Sequence, residues 1–277
     1  MESKDLTIVI VTFKSEEKIS NCLRSIPKEI PVILVENSNN EKFKKEIISK
    51  YDNVHCILAG ENKGYSVANN IGLNKVKTKY ALVLNPDTIL DKSAIKNFFY
   101  TANKNKDFWL IGPATDQMVD VNFSKENLKE VENLKGFAIF FNLSKFQNKF
   151  FDENFFLFFE EIDLCKKVIN NKGKIYLDKD IIIKHEGASS VNNCNVIELE
   201  KNRNWHWMWS SFYFQKKYKG FFIALILICP KLFSSLFKTC FYSIILNKEK
   251  RDIYFCRLSG IFNSMIGKKS WYRPALD

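Results

Sequence analysis

The first half of the chain alternates short apolar runs with polar segments of helical period. Four runs are rich in β-branched and aliphatic side chains: Thr7–Phe13, Pro31–Asn37, Val54–Leu58 and Tyr80–Leu84. Continuous runs of this kind are typical of strands buried on both faces of a sheet. Because strands that alternate with helices form βαβ units, the pattern predicts an α/β fold with a mostly parallel sheet flanked by helices.

Polar side chains stand at the ends of three of these four strands. Thr12 closes the first strand, Glu36 and Asn37 close the second, and the fourth stops at Asn85-Pro86-Asp87, where the proline cannot donate to the ladder. Thr12, Glu36 and Asn37 are also ordinary turn residues, but a turn role for each one does not explain why all three strands end in polar side chains. Open α/β sheets bind ligands at the carboxyl ends of their strands, so we expect a nucleotide crevice there.

Asp87 is the candidate metal ligand at this edge. A carboxylate there, with the amide of Asn85 two residues earlier, suits a hard cation that also contacts phosphate oxygens. The alternative is that Asp87 caps the helix expected to start near Asp91. His185 ends a later apolar run that begins at Ile181, and the metal expected at Asp87 makes this histidine a candidate second ligand.

A second group of acids follows an aromatic run in the middle of the chain. Phe155–Phe159 delivers Glu160, Glu161 and Asp163 to the start of a helix. Acidic residues in a first helical turn are favoured by the helix dipole, so a purely structural role is one interpretation. The other is a general base whose pKa is raised by burial and by neighbouring negative charge.

Charge divides the chain after residue 200. Residues 1–200 hold 28 basic and 28 acidic side chains, whereas residues 201–277 hold 14 basic and 3 acidic ones, which accounts for the whole net charge of +11. This difference predicts an α/β domain over 1–200 and a basic, aromatic helical region over 201–277 with a different partner.

The N-terminus has no signal-peptide run, and the seven scattered cysteines lack CxxC spacing, so we expect a cytoplasmic protein.

The basic region combines an aromatic helix with an apolar segment. Trp205, Trp209 and Phe212 share one helical face, and residues 220–246 are strongly apolar but interrupted by Pro230. A membrane-spanning helix needs about 20 apolar residues, and the run before Pro230 is shorter. We therefore predict an interfacial helical hairpin, with lysines and tryptophans at head-group level, on an anionic membrane surface. A helical subdomain packed on the α/β domain is the alternative; nucleic acid is not expected, because no recognition motif is present.

Seven motifs follow one another along essentially the whole chain: Ile8–Phe13, Val35–Ser38, Glu61–Tyr65 with Ala68–Gly72, Asn85–Asp87, Phe159–Cys165, His185–Ser190 and Lys269–Pro274. This ordered set resembles the family 2 inverting glycosyltransferases, particularly the bacterial rhamnosyltransferase-like branch. The resemblance implies a GT-A fold, which is a Rossmann-like nucleotide-binding catalytic domain, and transfer of a sugar, with rhamnose as a candidate, from a nucleotide-diphosphate donor. Together with the division of charge, it predicts a GT-A catalytic domain over residues 1–200 before the membrane-associating C-terminal region.

The resemblance also implies roles for individual residues. A divalent cation, Mg²⁺ or Mn²⁺, would be held by Asp87 with His185 as second ligand. Glu161 would be the catalytic base, with Asp163 or Glu160 as substitutes. Two positions depart from the family pattern, because an asparagine stands at the first acid of the metal motif and Glu161 replaces the usual aspartate. The residues that line the nucleotide-sugar crevice would be Thr12, Phe13, Glu36, Asn37, Asn62, Gly64, Asn69, Asn85 and Asp87.

The sequence thus predicts a transferase at the cytoplasmic face of the inner membrane, acting on a lipid-linked or polysaccharide acceptor in cell-surface glycan synthesis. A nucleotidyltransferase shares the nucleotide-binding plan, but it normally has a glycine- and basic-rich loop after the first strand, which Thr12–Glu17 is not. A nucleotide-sugar-binding scaffold without catalysis is the alternative from a different class.

Overall fold

A computed structural model describes residues 3–114, 127–185 and 196–273. Within these ranges the residues fall into two compact units. Residues up to Asp152, together with those from Glu161 to His185, form an α/β unit. Glu153–Glu160 and the residues from Val196 onward form a helical unit. The domains 1–200 and 201–277 remain a prediction, and the sequence pattern did not indicate that Glu153–Glu160 groups with the C-terminal helices.

The α/β unit is built on a mixed, mostly parallel sheet, as predicted. Its strands, with two that pair separately, are Leu6–Thr12 (β1), Val32–Glu36 (β2), Val54–Leu58 (β3), Tyr80–Leu84 (β4), Thr88–Leu90 (β5), Phe108–Pro113 (β6), Leu128–Glu130 (β7), Ala138–Asn142 (β8), Lys174–Asp178 (β9) and Ile183–His185 (β10). Among the described residues, eight strands follow the order β3-β2-β1-β4-β8-β6-β9-β7, and β10 pairs with β5. Strands β1 to β4 are mutually parallel, and β8 runs antiparallel to both β4 and β6.

Helices cover both faces of the sheet, which explains why its central strands are apolar throughout. The helices are Glu16–Ser25 (α1), Glu41–Lys50 (α2), Gly64–Leu73 (α3), Ala94–Lys104 (α4) and Glu160–Asn170 (α5). Along β1, Ile8 and Ile10 belong to one hydrophobic cluster with α1, α2 and α4, whereas Val9 belongs to a second cluster with α3 and α5. All five residues of β4 are buried in the same two-sided way.

The helical unit contains Val196–Lys219 (α6), Phe221–Ile244 (α7) and Lys248–Met265 (α8). Trp205, Trp209 and Phe212 of α6 share a face, as predicted, but all three are buried in the core of this unit. The expectation that the tryptophans lie at head-group level is therefore wrong for Trp205 and Trp209. Their indole N–H groups donate to Ser259 Oγ and Lys268 O, which satisfies the polar end of each buried ring.

Helix α7 is continuous from Phe221 to Ile244, with Pro230 inside it, so the proline does not interrupt the helix, and the interfacial helical hairpin stays a prediction. An internal proline removes one helical hydrogen bond and costs about 3 kcal/mol or more. The buried residues Ala224, Ile228 and Ser235 pack one face of α7 on both sides of the proline, which offsets that cost. In the described part of the chain α7 is one helix that is long and apolar enough to cross a membrane, judged by length and composition.

The segment Glu153–Glu160 is held by aromatic contacts within the helical unit. Phe158 and Phe159 have φ values of 68° and 70°, a left-handed conformation that is strained for bulky residues. Both rings contact the Trp207 ring, at centroid distances of 5.3 and 5.2 Å. These contacts stabilise a backbone conformation that the two phenylalanines would not adopt alone, immediately before α5.

Phe156 in the same segment is enclosed by residues from distant parts of the helical unit. Its ring stacks on His206 at 4.4 Å, and the Arg273 guanidinium lies 3.6 Å from its centroid. The His206 ring is in turn fixed by Ser270 Oγ and by Tyr272 O, each at 2.9 Å. The residues of the Lys269–Pro274 motif up to Arg273 thus belong to the packing of this unit, and Pro274 lies outside the described residues.

Replacing Gly260 by alanine is expected to destabilise the helical unit. A Cβ atom at this position of α8 would lie 2.3 Å from the Trp205 carbonyl oxygen, a backbone atom of α6 that cannot rotate away. Overpacking of this kind costs about 1–3 kcal/mol. Thermal unfolding of the full chain should show the loss, with the exposed Cys240→Ala as control. Equal unfolding temperatures for Gly260→Ala and the wild type would contradict the close packing of α6 on α8.

Candidate active site

The parallel strands bring the predicted crevice residues to one edge of the sheet. Thr12 is the register partner of Glu36, and Ile10 is the partner of Leu84, the residue before Asn85. The backbone N–H of Asn37 donates to Thr12 O at 2.8 Å, which extends the pairing of β1 and β2 by one residue. The polar residues that follow β1, β2 and β4 therefore lie at neighbouring strand ends, as the sequence pattern predicts.

His185 reaches Asp87 through the two-stranded sheet. Because β10 is antiparallel to β5 with His185 opposite Thr88, the histidine lies beside the residue that precedes Thr88. Its Nε2 atom is 3.4 Å from Asp87 Oδ1, and its ring stacks on Phe137 at 4.8 Å. Asp87 is 6% exposed, and its Oδ1 atom has no hydrogen-bond partner in the chain.

Asp87 and His185 are chemically suited to a divalent cation. A buried carboxylate oxygen without a hydrogen-bond donor is a ready ligand, and the Phe137 ring fixes the orientation of the imidazole. Within residues 3–114, 127–185 and 196–273, no group of three or more histidine, cysteine or acidic side chains is placed to hold a metal. Two protein ligands agree with the way Mg²⁺ is bound at phosphate sites, where substrate phosphates and water complete the shell.

Asn37 organises the turn that opens α3. Its Oδ1 accepts from Lys63 N at 2.9 Å, and its Nδ2 donates to Asn62 Oδ1 at 3.1 Å. Asn62 Oδ1 also accepts from Gly64 N at 3.1 Å. Gly64 has a φ of 78°, a conformation that glycine adopts without strain. Three of the predicted crevice residues thus form one hydrogen-bonded cluster at the end of β2.

Glu36 has a positioning role within its own loop. Its Oε1 accepts from Ser38 N at 2.9 Å and from the Ser38 hydroxyl, and its Oε2 accepts from Asn40 N at 2.5 Å. The side chain is buried, with 1% of its surface exposed. Both carboxylate oxygens are therefore engaged in shaping residues 37–40, and direct contact between Glu36 and a nucleoside remains a prediction.

Two further crevice residues have buried polar atoms without a partner in the chain. Thr12 Oγ1 and Asn69 Oδ1 are both buried and form no hydrogen bond within the chain, while Asn69 Nδ2 donates to Tyr65 O at 3.0 Å. Buried polar atoms without a partner are rare, so these two atoms are candidate contacts for a ligand. Phe13, the remaining predicted residue of this group, is half-buried after β1 and its carbonyl accepts from Ser15 Oγ.

Glu161 lies beside Gly136, the second residue before β8. A Cβ atom built at Gly136 would be in ordinary van der Waals contact with Glu161, 3.5 to 3.8 Å from its Cβ, Cγ and Cδ, so the glutamate side chain lies beside this part of the backbone. Burial raises the pKa of Glu161 above its ordinary value, and the nearby Lys135 only partly opposes the shift. A carboxylate with a raised pKa is a better proton acceptor near neutral pH.

Gly136 and Phe137 connect the candidate base with the candidate metal ligands. Gly136 lies beside Glu161, and its carbonyl accepts from the Tyr65 hydroxyl at 2.6 Å. Phe137 stacks on His185, and its carbonyl accepts from Asn85 N at 2.8 Å. Neither residue is among the site residues that the sequence predicts, because their partners lie far away in the chain. The local signal is a glycine followed by an aromatic residue just before an apolar strand.

The other candidate acids lie in the same turn of α5. Asp163 is 1% exposed and Glu160 is 6% exposed, whereas Glu161 is half-buried. An acceptor hydroxyl can therefore reach Glu161 more easily than it can reach the other two carboxylates. Glu160 groups with the helical unit and Glu161 with the α/β unit. Of the sequence motif that starts at His185, residues 186–190 lie outside the described residues.

Comparison with known proteins gives consistent results. The family model Glycosyl transferase family 2 matches residues 7–164, more than half of the chain. The low-salt glycan biosynthesis hexosyltransferase Agl10 of Haloferax volcanii is 30% identical over 188 residues, which are 58% of this chain and 60% of that protein. A teichoic acid poly(glycerol phosphate) polymerase of Staphylococcus epidermidis is 35% identical over 116 residues, 39% of this chain and 16% of that protein. The chain thus spans less than two thirds of these relatives.

Among solved structures, the mannosyltransferase PcManGT from Pyrobaculum calidifontis, in complex with GDP-Man and Mn²⁺, superposes with a TM-score of 0.57. The alignment covers 95% of this chain and 87% of that one, at 10% sequence identity. At such low identity the likeness concerns the fold alone. It confirms the predicted GT-A architecture.

Proposed function

The chain belongs to glycosyl transferase family 2, and we propose that it transfers a sugar from a nucleotide-diphosphate donor to a hydroxyl group with inversion at the anomeric carbon. The observation that carries the proposal is the link between Asp87–His185 and Glu161 through residues 136 and 137. Candidate ligands for a diphosphate-bound cation thereby lie near a carboxylate of raised pKa. That is the pair of functions a direct displacement requires.

The chain's own residues divide the chemistry. Glu161 accepts the proton of the acceptor hydroxyl as its oxygen attacks the anomeric carbon, and the donor's bond to the diphosphate oxygen breaks on the opposite side. Thr12 and Asn69 supply unpaired polar atoms for the nucleotide. A divalent cation held by Asp87 and His185 would neutralise the charge that develops on the leaving diphosphate.

We infer that the acceptor is a cell-surface glycan precursor, as the names of the relatives suggest, and we propose that this precursor is carried on a lipid. Agl10 is named for glycan biosynthesis and the staphylococcal relative for teichoic acid. Rhamnose as the donor sugar rests only on the resemblance of the seven motifs. The location that fits a membrane-bound acceptor is the cytoplasmic face of the membrane, with the enzyme peripheral to it.

The outer face of α7 supports membrane association. This face presents large apolar side chains that are 65 to 79% exposed: Phe222, Ile226, Phe233, Phe237 and Ile244. Such a surface, in a region with a large excess of basic residues, fits an anionic lipid interface. Lys231 and Lys238 lie in the middle of α7 and bond to Ser211 and Tyr254 of its neighbours. A spanning helix would carry both charges into hydrocarbon, so we propose that α7 lies in the interface.

We expect the full chain to sediment with vesicles that contain anionic lipid, and to lose part of that binding as salt rises. Exposed charges are screened beyond about 10 Å at 0.1 M salt, whereas apolar contact is not. Phe233→Asp with Phe237→Asp should remove the salt-resistant part. The matched control is Tyr100→Asp, an exposed aromatic residue of α4. Equal binding of the double variant and the control would contradict the role of α7.

The proposed reaction is tested by incubating the protein with Mn²⁺, a panel of nucleotide sugars and a lipid-linked glycan extract, and following nucleoside diphosphate release and product mass. Transfer from one donor, with inverted configuration in the product, is the expected result. Tight binding of a nucleotide sugar without release or transfer would instead favour the non-catalytic scaffold. Release of inorganic diphosphate from a nucleoside triphosphate would indicate a nucleotidyltransferase.

A further inference from the structure

Two cationic side chains of the helical unit, Lys231 and Arg257, contact the same face of α6, and neither has an acidic partner in the described part of the chain. Lys231 of α7 donates to Ser211 Oγ at 3.2 Å and lies 6.0 Å from the Trp207 ring. Arg257 of α8 reaches Asn204 Oδ1 at 3.4 Å and Met208 Sδ at 3.7 Å. Residues 204, 207, 208 and 211 follow one another at helical spacing, so the two cations approach α6 side by side.

The acids of this unit that form ion pairs are engaged with other cations. Glu198 pairs with Lys201, Glu200 pairs with Arg203, and Asp252 pairs with Arg251. In the described part of the chain neither Lys231 nor Arg257 forms an ion pair. Desolvation, and then the charge of Arg257, lower the pKa of Lys231, which places the two groups within electrostatic reach of each other.

The donors of this cluster are poorly satisfied. The Arg257 Nε atom is buried without a hydrogen-bond partner, and the contacts made by its other nitrogens are long and uncharged. One turn beyond Lys231 on α7, the Ser235 hydroxyl is 1% exposed and also lacks a partner. Two half-buried like charges with unused donors are costly unless an anion joins them. An arginine with a lysine is a common combination for phosphate oxygens.

Apolar surface adjoins the cluster. Leu227 lies one turn before Lys231 on α7 and is 45% exposed, and Trp207 beside Lys231 is 42% exposed. A free inorganic anion would gain nothing from these side chains. A ligand that carries an apolar chain next to its phosphate would contact both the cations and the apolar surface.

We propose that Lys231 and Arg257, with the Ser211 hydroxyl, bind the diphosphate group of the lipid that carries the glycan acceptor. This assignment rests on the proposed function and gives it a second site, separate from Asp87 and His185. The apolar side chains that flank the cluster bind the first part of the lipid chain. The helical unit then recognises the carrier lipid, whatever sugar is transferred.

The test is direct binding of farnesyl diphosphate to the full chain, measured calorimetrically in the presence of a chelator so that a metal-dependent nucleotide site does not contribute. Lys231→Gln and Arg257→Gln should each weaken binding about tenfold or more, since each removes a charged donor from the diphosphate. Lys231→Arg should keep most of it. The control Lys248→Gln, an exposed lysine of α8, should bind as the wild type does. Asp87→Ala should also bind farnesyl diphosphate as the wild type does, because Asp87 belongs to the other site. The outcome of this binding test is therefore independent of whether the sugar-transfer assay succeeds.

A second readout concerns the free protein. Because the unliganded cations repel each other, Lys231→Gln should raise the unfolding temperature of the free protein and reduce the further rise that farnesyl diphosphate causes in the wild type. Unchanged affinity in both glutamine variants would overturn the proposal. Equal affinity for inorganic diphosphate would overturn the lipid assignment. If both variants reduce binding to phosphatidylglycerol vesicles as much as binding to farnesyl diphosphate, the site is a general bilayer contact instead.

Discussion

Replacing Asp87 by alanine is expected to reduce sugar transfer by about 10³-fold or more and to weaken nucleotide-sugar binding when Mn²⁺ is present. The carboxylate is buried, its Oδ1 has no donor in the chain, and His185 Nε2 is 3.4 Å away. Removing it takes away the charged half of the two-residue ligand pair. Calorimetry with the donor, with and without Mn²⁺, should show that the metal increases affinity only in the wild type.

Asp107→Asn is the matched control for this experiment. Asp107 forms an exposed ion pair with Lys174 at 2.8 Å, at the start of β6 and therefore at the opposite edge of the sheet. Its replacement should leave both affinity and turnover near the wild-type values, because exposed ion pairs contribute little. Full activity of Asp87→Ala, or full wild-type activity in excess chelator, would remove the cation from the proposed mechanism.

Replacing Glu161 by glutamine is expected to lower turnover by about 10²-fold or more while the affinity for the donor is retained. Glutamine keeps the shape of the side chain beside Gly136 but cannot accept the proton of the acceptor hydroxyl. Turnover of the wild type should rise with pH as Glu161 loses its proton. Because burial raises the pKa of Glu161, this rise should occur at a higher pH than for an ordinary glutamate. Asp163→Asn is the comparison, and an active Glu161→Gln with an inactive Asp163→Asn would move the base to Asp163.

The variant Glu161→Gln should also be more stable to unfolding than the wild type at neutral pH. With a folded-state pKa above the unfolded one, the folded protein holds the Glu161 proton more tightly, so the stability contributed by this group is full at low pH. It is lost as pH rises through the unfolded value of about 4.3 towards the raised folded value. Glu161→Gln should therefore unfold at a higher temperature at pH 7, and the difference should close at acidic pH. A lower unfolding temperature of Glu161→Gln than of the wild type at pH 7 would contradict the view that the charged Glu161 carboxylate destabilises the folded state.

The sequence predicted the sheet, and placed the candidate site at one edge of it, because both depend on local patterns. A run such as Tyr80–Leu84 is long enough to read as a strand, and the proline at position 86 marks its end. The partners of Asp87 were not predictable in this way. The pairing of His185 with Thr88, and the contacts of residues 136 and 137, join segments far apart in the chain, and no local pattern encodes them.

The helical unit was predicted less well, for a related reason. A helical face with Trp205 and Trp209 has the same spacing whether it meets lipid or protein, and only the packing of α8 against it decides the outcome. The continuity of α7 through Pro230 likewise depends on tertiary contacts that outweigh the local cost of the proline. The membership of residues 153–160 in this unit has no sequence signal, because aromatic runs are also typical of buried strands.

The division of the chain between its two units also has a consequence for synthesis on the ribosome. Phe156 is translated 117 residues before Arg273, whose guanidinium covers it. At about 5–20 residues per second, this interval is roughly 6 to 23 s. Throughout that time Phe156 is without the guanidinium that covers its ring, and this apolar ring is exposed to chaperones and to other nascent chains. A stop codon just before Arg273 would therefore leave Phe156 without this partner permanently, and we expect such a product to aggregate more than the full chain does.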